Sequence, residues 1–163
     1  MEYIRPSVDE SFLDIAKSVA ERSTCLRRRY GAVIVSRDGR IVSTGYNGAP
    51  RRRKNCCDLG SCKRAKLKIE PGTHYELCRA VHAEANAIIN GNPLDMIGGT
   101  LYLSGVDSDT NLPTKHMFPC AMCQRMIINA QIREIVMESQ DGTILSMSAG
   151  SLPDDAEEPE SEQ

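Results

Sequence analysis

The chain has 163 residues, 40% of them apolar and 26% charged, with no tryptophan and a net charge of −2. That length suits one domain with a real core. No run approaches the roughly 18 apolar residues of a membrane span. The start, MEYIRPSVDE, is acidic and lacks the apolar centre of a secretion signal, so the protein reads as cytoplasmic with no membrane partner.

The first predicted element is a helix in SVDESFLDIAKSVAERS, where Phe12, Ile15, Ala16, Val19 and Ala20 recur at helical spacing and Ser7 or Asp9 is placed to cap it. YGAVIVS and GRIVSTGY are short β-branched runs, and Asp38-Gly39 between them is a hairpin signal. From Asn47 to about Leu77 the sequence is irregular, rich in cysteine and basic residues. A stretch this long in a compact domain has to be functional or tied down. VHAEANAIIN then reads as a helix stopped by Gly91 and Pro93, and GTLYLSG as a strand. DSDTNLPTKHMF reads as a loop, PCAMCQRMIINA as a helix with Pro119 at its first position, and IREIVME as a strand. The later half alternates strand and helix, which predicts parallel strands and a mixed sheet with helices on both faces.

Charge is unevenly distributed. From Pro153 onward the chain carries six acids and no base, so the body without them has a net charge of +4. The division is a domain over 1–150 and an acidic tail over 151–163, which reads as disordered. The positive charge gathers at Arg27–Arg29, Arg51–Lys54 and Lys63–Lys68, either as solvated faces or as contacts to an anionic ligand such as a phosphate.

Seven cysteines without a secretory signal point to metal rather than to disulfides. Cys120 and Cys123 are three apart, so they share a face at a helix start, where the dipole favours thiolates. His82 begins another helix. If the two starts converge, His82, Cys120 and Cys123 form a catalytic zinc set with one position open. Glu84, two residues after His82, points elsewhere and suits a proton shuttle better than a ligand. A closed structural site completed by His116 or Cys78 is the alternative. The combination of H-x-E with a later P-C-x-x-C is the pattern of zinc nucleobase deaminases.

HAE and PCAMC resemble the cytidine/deoxycytidylate deaminase superfamily. STCLRRRYGAVIV from Ser23, STGYNGAP from Ser43 and the cysteine-bearing loop are similar to the deoxycytidylate (dCMP) deaminases within it, over about residues 8–138. The resemblance implies a three-layer α/β/α fold with a mixed five-stranded sheet and hydrolysis of dCMP to dUMP and ammonia, a step in pyrimidine nucleotide metabolism. It also implies catalytic zinc on His82, Cys120 and Cys123, with Glu84 as general acid/base. Asn47 falls at the sugar and Arg27 at the nucleotide phosphate, with Arg28 and Arg29 as rivals. Ala83 joins them as a substrate-binding candidate.

Some relatives hold a second, structural zinc. The candidates here are Cys25, Cys56, Cys62 and Cys78, with Cys57 and His74 as spares. A homohexamer and regulation by dCTP and dTTP are further expectations of the resemblance. Phe118 departs from it, since many relatives carry a smaller or polar residue there.

Two other readings stand beside this one. The first is a zinc deaminase of another base or nucleotide, such as a riboflavin-pathway pyrimidine or a tRNA adenosine. With two Phe and five Tyr, stacking platforms for nucleic acid are poorly supplied. The second is a zinc-stabilised nucleotide-binding regulator without turnover, which an intact Glu84 disfavours.

Overall fold

The computed structural model describes residues 4–115 and 117–153. The acidic run 154–163 and His116 lie outside the described residues.

Helix α1 (Val8–Ala20) starts at Ser7. The Ser7 hydroxyl accepts from the Glu10 backbone, and the Glu10 carboxylate accepts from the Ser7 backbone, a reciprocal cap. Strands β1 (Arg28–Val35) and β2 (Ile41–Tyr46) form the expected hairpin, with Gly39 at φ +84° in the turn.

The long segment breaks into helical turns: α2 (Cys56–Leu59), α3 (Lys63–Lys66) and a 3-10 turn at Tyr75–Leu77. Helix α4 (Ala83–Asn90) ends at Gly91 as expected, but Pro93 opens a further helix, α5 (Pro93–Met96), capped by Asn92. Strand β3 (Thr100–Asp107), helix α6 (Ala121–Asn129) and strand β4 (Glu134–Glu138) follow. Pro119 sits two positions ahead of the predicted first helical position: Cys120, extended at ψ 161°, is the N-cap of α6 and Ala121 its first residue. Four strands were legible as short apolar runs. The fifth, β5 (Ile144–Ser148), is an edge strand whose partly exposed side chains give no clean alternation.

The sheet order is β2-β1-β3-β4-β5. Only β3 and β4 pair in parallel; β1–β2, β1–β3 and β4–β5 are antiparallel. Side chains alternate across the sheet with the period of two that a strand imposes. Val33, Val35, Tyr102 and Val136 meet Leu13 and Ala16 of α1. Ala32, Ile34, Leu101, Leu103, Ile135 and Met137 face the other layer, with Ala83 and Ala87 of α4 and Ile127 of α6. Burying each large aliphatic group contributes about 1.5–3 kcal/mol. The result is the expected three layers. Leu152 is buried in the second of these clusters, so the core reaches to the edge of the described chain.

Polar side chains fix α4 on edge strand β2. Ser43 donates to the Ala87 carbonyl at 2.7 Å, Asn86 to the Tyr46 carbonyl at 2.8 Å, and Asn90 to the Thr44 carbonyl at 2.9 Å. Gly45 is what allows this approach. A Cβ there would stand 2.3 Å from the Ala87 nitrogen and 2.4 Å from the Ala83 carbonyl oxygen, both backbone atoms. Gly45→Ala is therefore expected to destabilise the fold by about 1–3 kcal/mol, the usual cost of overpacking. Thermal melts check this, and an unchanged melt would overturn it.

Candidate active site

Two helices on one face of the sheet begin with residues that decline to cap them. N-cap positions favour Ser, Thr, Asp or Asn, whose oxygens satisfy the free N–H groups of the first turn. Here His82 caps α4 and Cys120 caps α6, both in extended backbone and neither with a side-chain capping bond. Their side chains are instead aimed past the helix ends at each other. The His82 Nδ1 lies 3.4 Å from the Sγ of Cys120 and 3.4 Å from the Sγ of Cys123.

The three donor atoms lie within 4.8 Å of one another, and among the described residues no other group of three or more His, Cys, Asp or Glu does so. A zinc ion holding one nitrogen at about 2.0 Å and two sulfurs at about 2.3 Å in tetrahedral geometry sets N···S near ~3.5 Å. The donor spacing fits. The charge also fits. Cys123 hydrogen-bonds to Cys120, which holds the Cys120 thiol well below the ordinary thiol range, with help from His82. The same bond, together with burial, pushes the Cys123 thiol up. The bond to Cys120 raises His82. Without a cation the pair resists a second negative charge; a divalent ion would accept both thiolates and a neutral imidazole.

Glu84 stands at the second position of α4 and is only 6% exposed. Burial pushes its carboxyl above the ordinary range. It shares with His82 and Cys120 the wall of a cleft of about 280 Å³. Ala83, fully buried, lies between them on the same wall.

The loop after β2 reaches this cleft through a two-bond bridge, Gly48 N–H to Val81 O at 3.2 Å and Val81 N–H to Gly48 O at 2.8 Å. That bridge sets Asn47 beside the cleft. The Asn47 side chain is already engaged. Its Oδ1 accepts from the Ser23 hydroxyl at 2.6 Å and the Tyr30 N–H at 2.8 Å, and its Nδ2 donates to the Arg28 carbonyl at 2.9 Å. One Nδ2 hydrogen remains for a ligand. Of the three adjacent arginines, Arg27 and Arg28 line the cleft. Arg29 is not part of that wall, and its guanidinium donates to the Asn111 side chain.

The family profile described as "Cytidine and deoxycytidylate deaminase zinc-binding region" matches residues 6–139. The chain belongs to this deaminase family. It is 39% identical over 137 residues to the deoxycytidylate deaminase of Mycobacterium phage D29, covering 81% of this chain and 94% of that one. Against the deoxycytidylate deaminase of Schizosaccharomyces pombe it is 36% identical over 132 residues, covering 81% of this chain but 37% of that longer protein. Among solved structures, the dCMP deaminase from cyanophage S-TIM5 in complex with dCMP and dUMP superposes with a TM-score of 0.55 at 24% identity, over 84% of this chain and 85% of that one. That likeness shares the fold.

The early cysteines gather around one side of the deaminase cleft. Cys25, Cys62 and Cys78 line it. Cys56 is buried, and its thiol is raised by that burial and by the nearby charges of Cys25, Cys62 and Cys78. Cys57 is exposed and turned to Asp58, and His74 is exposed and paired with Glu76.

Sequence reasoning missed several walls of the cleft, Tyr30, Tyr75, Lys115 and Met117, and had Arg64 only as one of the basic run Lys63–Lys68. Tyr30 continues the predicted strand, but its place over Gly105 is a cross-strand fact: a Cβ at Gly105 would meet its ring at 2.5 Å. Phe118, noted as a departure, is half-exposed at the cleft rim.

Proposed function

We propose that this chain catalyses the hydrolytic deamination of dCMP to dUMP and ammonia, with zinc on His82, Cys120 and Cys123. The observation that carries the reading is the meeting of those three donors beside a cleft that His82, Cys120 and the buried Glu84 line. A zinc ion held there would supply a Lewis acid able to bring the pKa of water near ~7. Glu84 takes one proton from the water that adds to C4 of cytosine and delivers it to N3; it then takes the second proton, from the new C4 hydroxyl, and gives it to the amino group as the C4–N bond breaks and the C4 carbonyl forms. Its burial keeps bulk water from competing for that proton and favours a carboxyl that both accepts and returns it. Asn47, held by Ser23, Tyr30 and Arg28, presents its remaining N–H to the sugar. Ala83 closes the wall between the donor and the shuttle.

Arg27 binds the 5′-phosphate, with Arg28 and Lys115 on the same cleft. A guanidinium–phosphate contact contributes about 1.5–3 kcal/mol, so Arg27→Ala should lower kcat/KM for dCMP roughly 10- to 150-fold and that for deoxycytidine little. The deciding assay follows ammonia release from dCMP, deoxycytidine, cytidine and dCTP. Equal losses on dCMP and deoxycytidine would make Arg27 structural. Deoxycytidine as the better substrate of the wild type would overturn the monophosphate reading, and no ammonia from any of them would overturn the enzyme reading.

A second zinc on Cys25, Cys56, Cys62 and Cys78 is part of the proposal, supported by the electrostatic influence of Cys25, Cys62 and Cys78 on the Cys56 thiol and by the length of loop they would tie; no three of the four sulfurs lie within 4.8 Å of one another, so the loop would have to draw in around the ion. Seven unpaired cysteines support a reducing, cytoplasmic setting. No described helix is long and apolar enough to cross a membrane. A homo-oligomer, a hexamer in the resemblance, is supported by half-exposed Phe118, Met122, Ile128 and Leu145. Regulation by dCTP and dTTP rests on the resemblance alone.

A further inference from the structure

The basic run Lys63–Lys68, read from sequence as a solvated face or an anion contact, contains one residue that is neither. Arg64 is 6% exposed, whereas Lys63, Lys66 and Lys68 on either side are exposed. Its guanidinium makes three hydrogen bonds, all within the loop. Nη1 donates to the Thr73 carbonyl at 2.5 Å and the His74 carbonyl at 2.7 Å, and Nη2 donates to the Glu70 carbonyl at 2.9 Å. These bonds close a turn containing His74, a non-glycine residue at φ +47°, in the left-handed region that such residues rarely adopt. The turn ends at Tyr75.

The Arg64 guanidinium carbon stands 5.0 Å from the centre of the Tyr75 ring, a cation–π arrangement. The Tyr75 ring in turn meets the His82 imidazole edge-to-face, with centroids 5.2 Å apart and planes at 85°. Arg64, Tyr75 and His82 therefore form a continuous stack from the centre of the loop to a metal donor, and all three line the cleft.

We infer that Arg64 and Tyr75 are positioning residues: the Arg64 clamp on residues 70–74 sets the Tyr75 ring, which buttresses His82 in the orientation that aims Nδ1 at Cys120 and Cys123. An imidazole on an N-cap has free rotation about two bonds, and the Tyr75 ring limits that rotation from the side. Lysine cannot replace Arg64, because a single ammonium cannot present a planar fork to three carbonyls and a ring face at once. The loop thereby acts on the site directly through a side-chain stack, independently of any metal within the loop. The inference rests on the reading of His82 as a zinc donor.

The test measures zinc affinity by competition with a chromophoric chelator, in the whole protein, beside thermal melts. Groups that orient a metal-binding histidine are worth about 10- to 100-fold in affinity. Tyr75→Leu is expected to weaken zinc binding at the catalytic site by about tenfold or more with little change in melting temperature of the metal-free protein, since Tyr75 is only half-buried. Tyr75→Phe keeps the ring and should restore zinc affinity to within about twofold. Arg64→Lys should weaken zinc binding in the same direction and speed tryptic cleavage after Lys66 and Lys68. Wild-type zinc affinity in Tyr75→Leu overturns the inference while leaving the metal reading intact. A wild type that binds no zinc overturns both. An equal loss in Tyr75→Phe and Tyr75→Leu would also overturn it, because the hydroxyl rather than the ring would then be responsible.

Discussion

Glu84→Gln is expected to lower kcat by about 10²–10⁴-fold while zinc content and thermal stability stay near those of the wild type. Glutamine has almost the same shape, so the wall of the cleft and the packing at the start of α4 persist. It loses the ability to take and return a proton, which is the step general acid–base catalysis contributes. The position supports this division of labour. Glu84 is two residues from His82 on the same helix, yet it does not join the three donors that lie within 4.8 Å of one another. Steady-state rates with dCMP, taken beside metal analysis of the same preparation, check the expectation. Activity within about tenfold of wild type would remove Glu84 from the proton path. Loss of zinc along with activity would make it a ligand.

Metal removal is expected to have the other large effect. Prolonged treatment with a strong chelator should abolish turnover, and added zinc should restore it. His82 and Cys120 begin different helices, and Cys123 lies in the first turn of the second. A shared ion would therefore tie α4 to α6, so its loss should also lower the melting temperature. Protein purified without chelator should contain about two zinc ions per chain if Cys25, Cys56, Cys62 and Cys78 hold the second. In that case Cys56→Ser should reduce both the ratio and the stability. A ratio near one with Cys56→Ser neutral would eliminate the second site, and a ratio near zero would eliminate the catalytic one. Mutating Cys123 to alanine should resemble chelation rather than Glu84→Gln, with activity, zinc and stability falling together.

Much of this protein was legible along the chain because the relevant physics is local. Ser7 and Glu10 cap α1 through bonds three residues apart. Strands β1 to β4 stand out as short apolar, β-branched runs, buried on both faces in β1, β3 and β4, and Asp38-Gly39 turns the first hairpin. The cluster was legible for the same reason: C-x-x-C places two sulfurs on one helix start, and H-x-E sets a glutamate two residues beyond the histidine that meets them. Where local pattern was weak the reading slipped. Strand β5 lies at a sheet edge with mostly exposed side chains, so no alternation marks it. Pro119 was placed inside α6 rather than ahead of it, because only the extended backbone of Cys120 decides which residue is the cap.

What the tertiary structure alone decided are the meetings of distant segments. Arg27 and Arg28 face the cleft while Arg29 turns to Asn111, a choice made by how β1 lies against the segment after β3. Asn47 is spent largely on Ser23, Tyr30 and Arg28, which no spacing in STGYNGAP announces. Arg64 looks in sequence like its exposed lysine neighbours and is buried only because residues 70–74 fold back over it. Periodicity records which face of an element is apolar. It does not record which polar groups from other elements that face will meet, because those contacts are fixed by packing between layers rather than by any repeat within the chain.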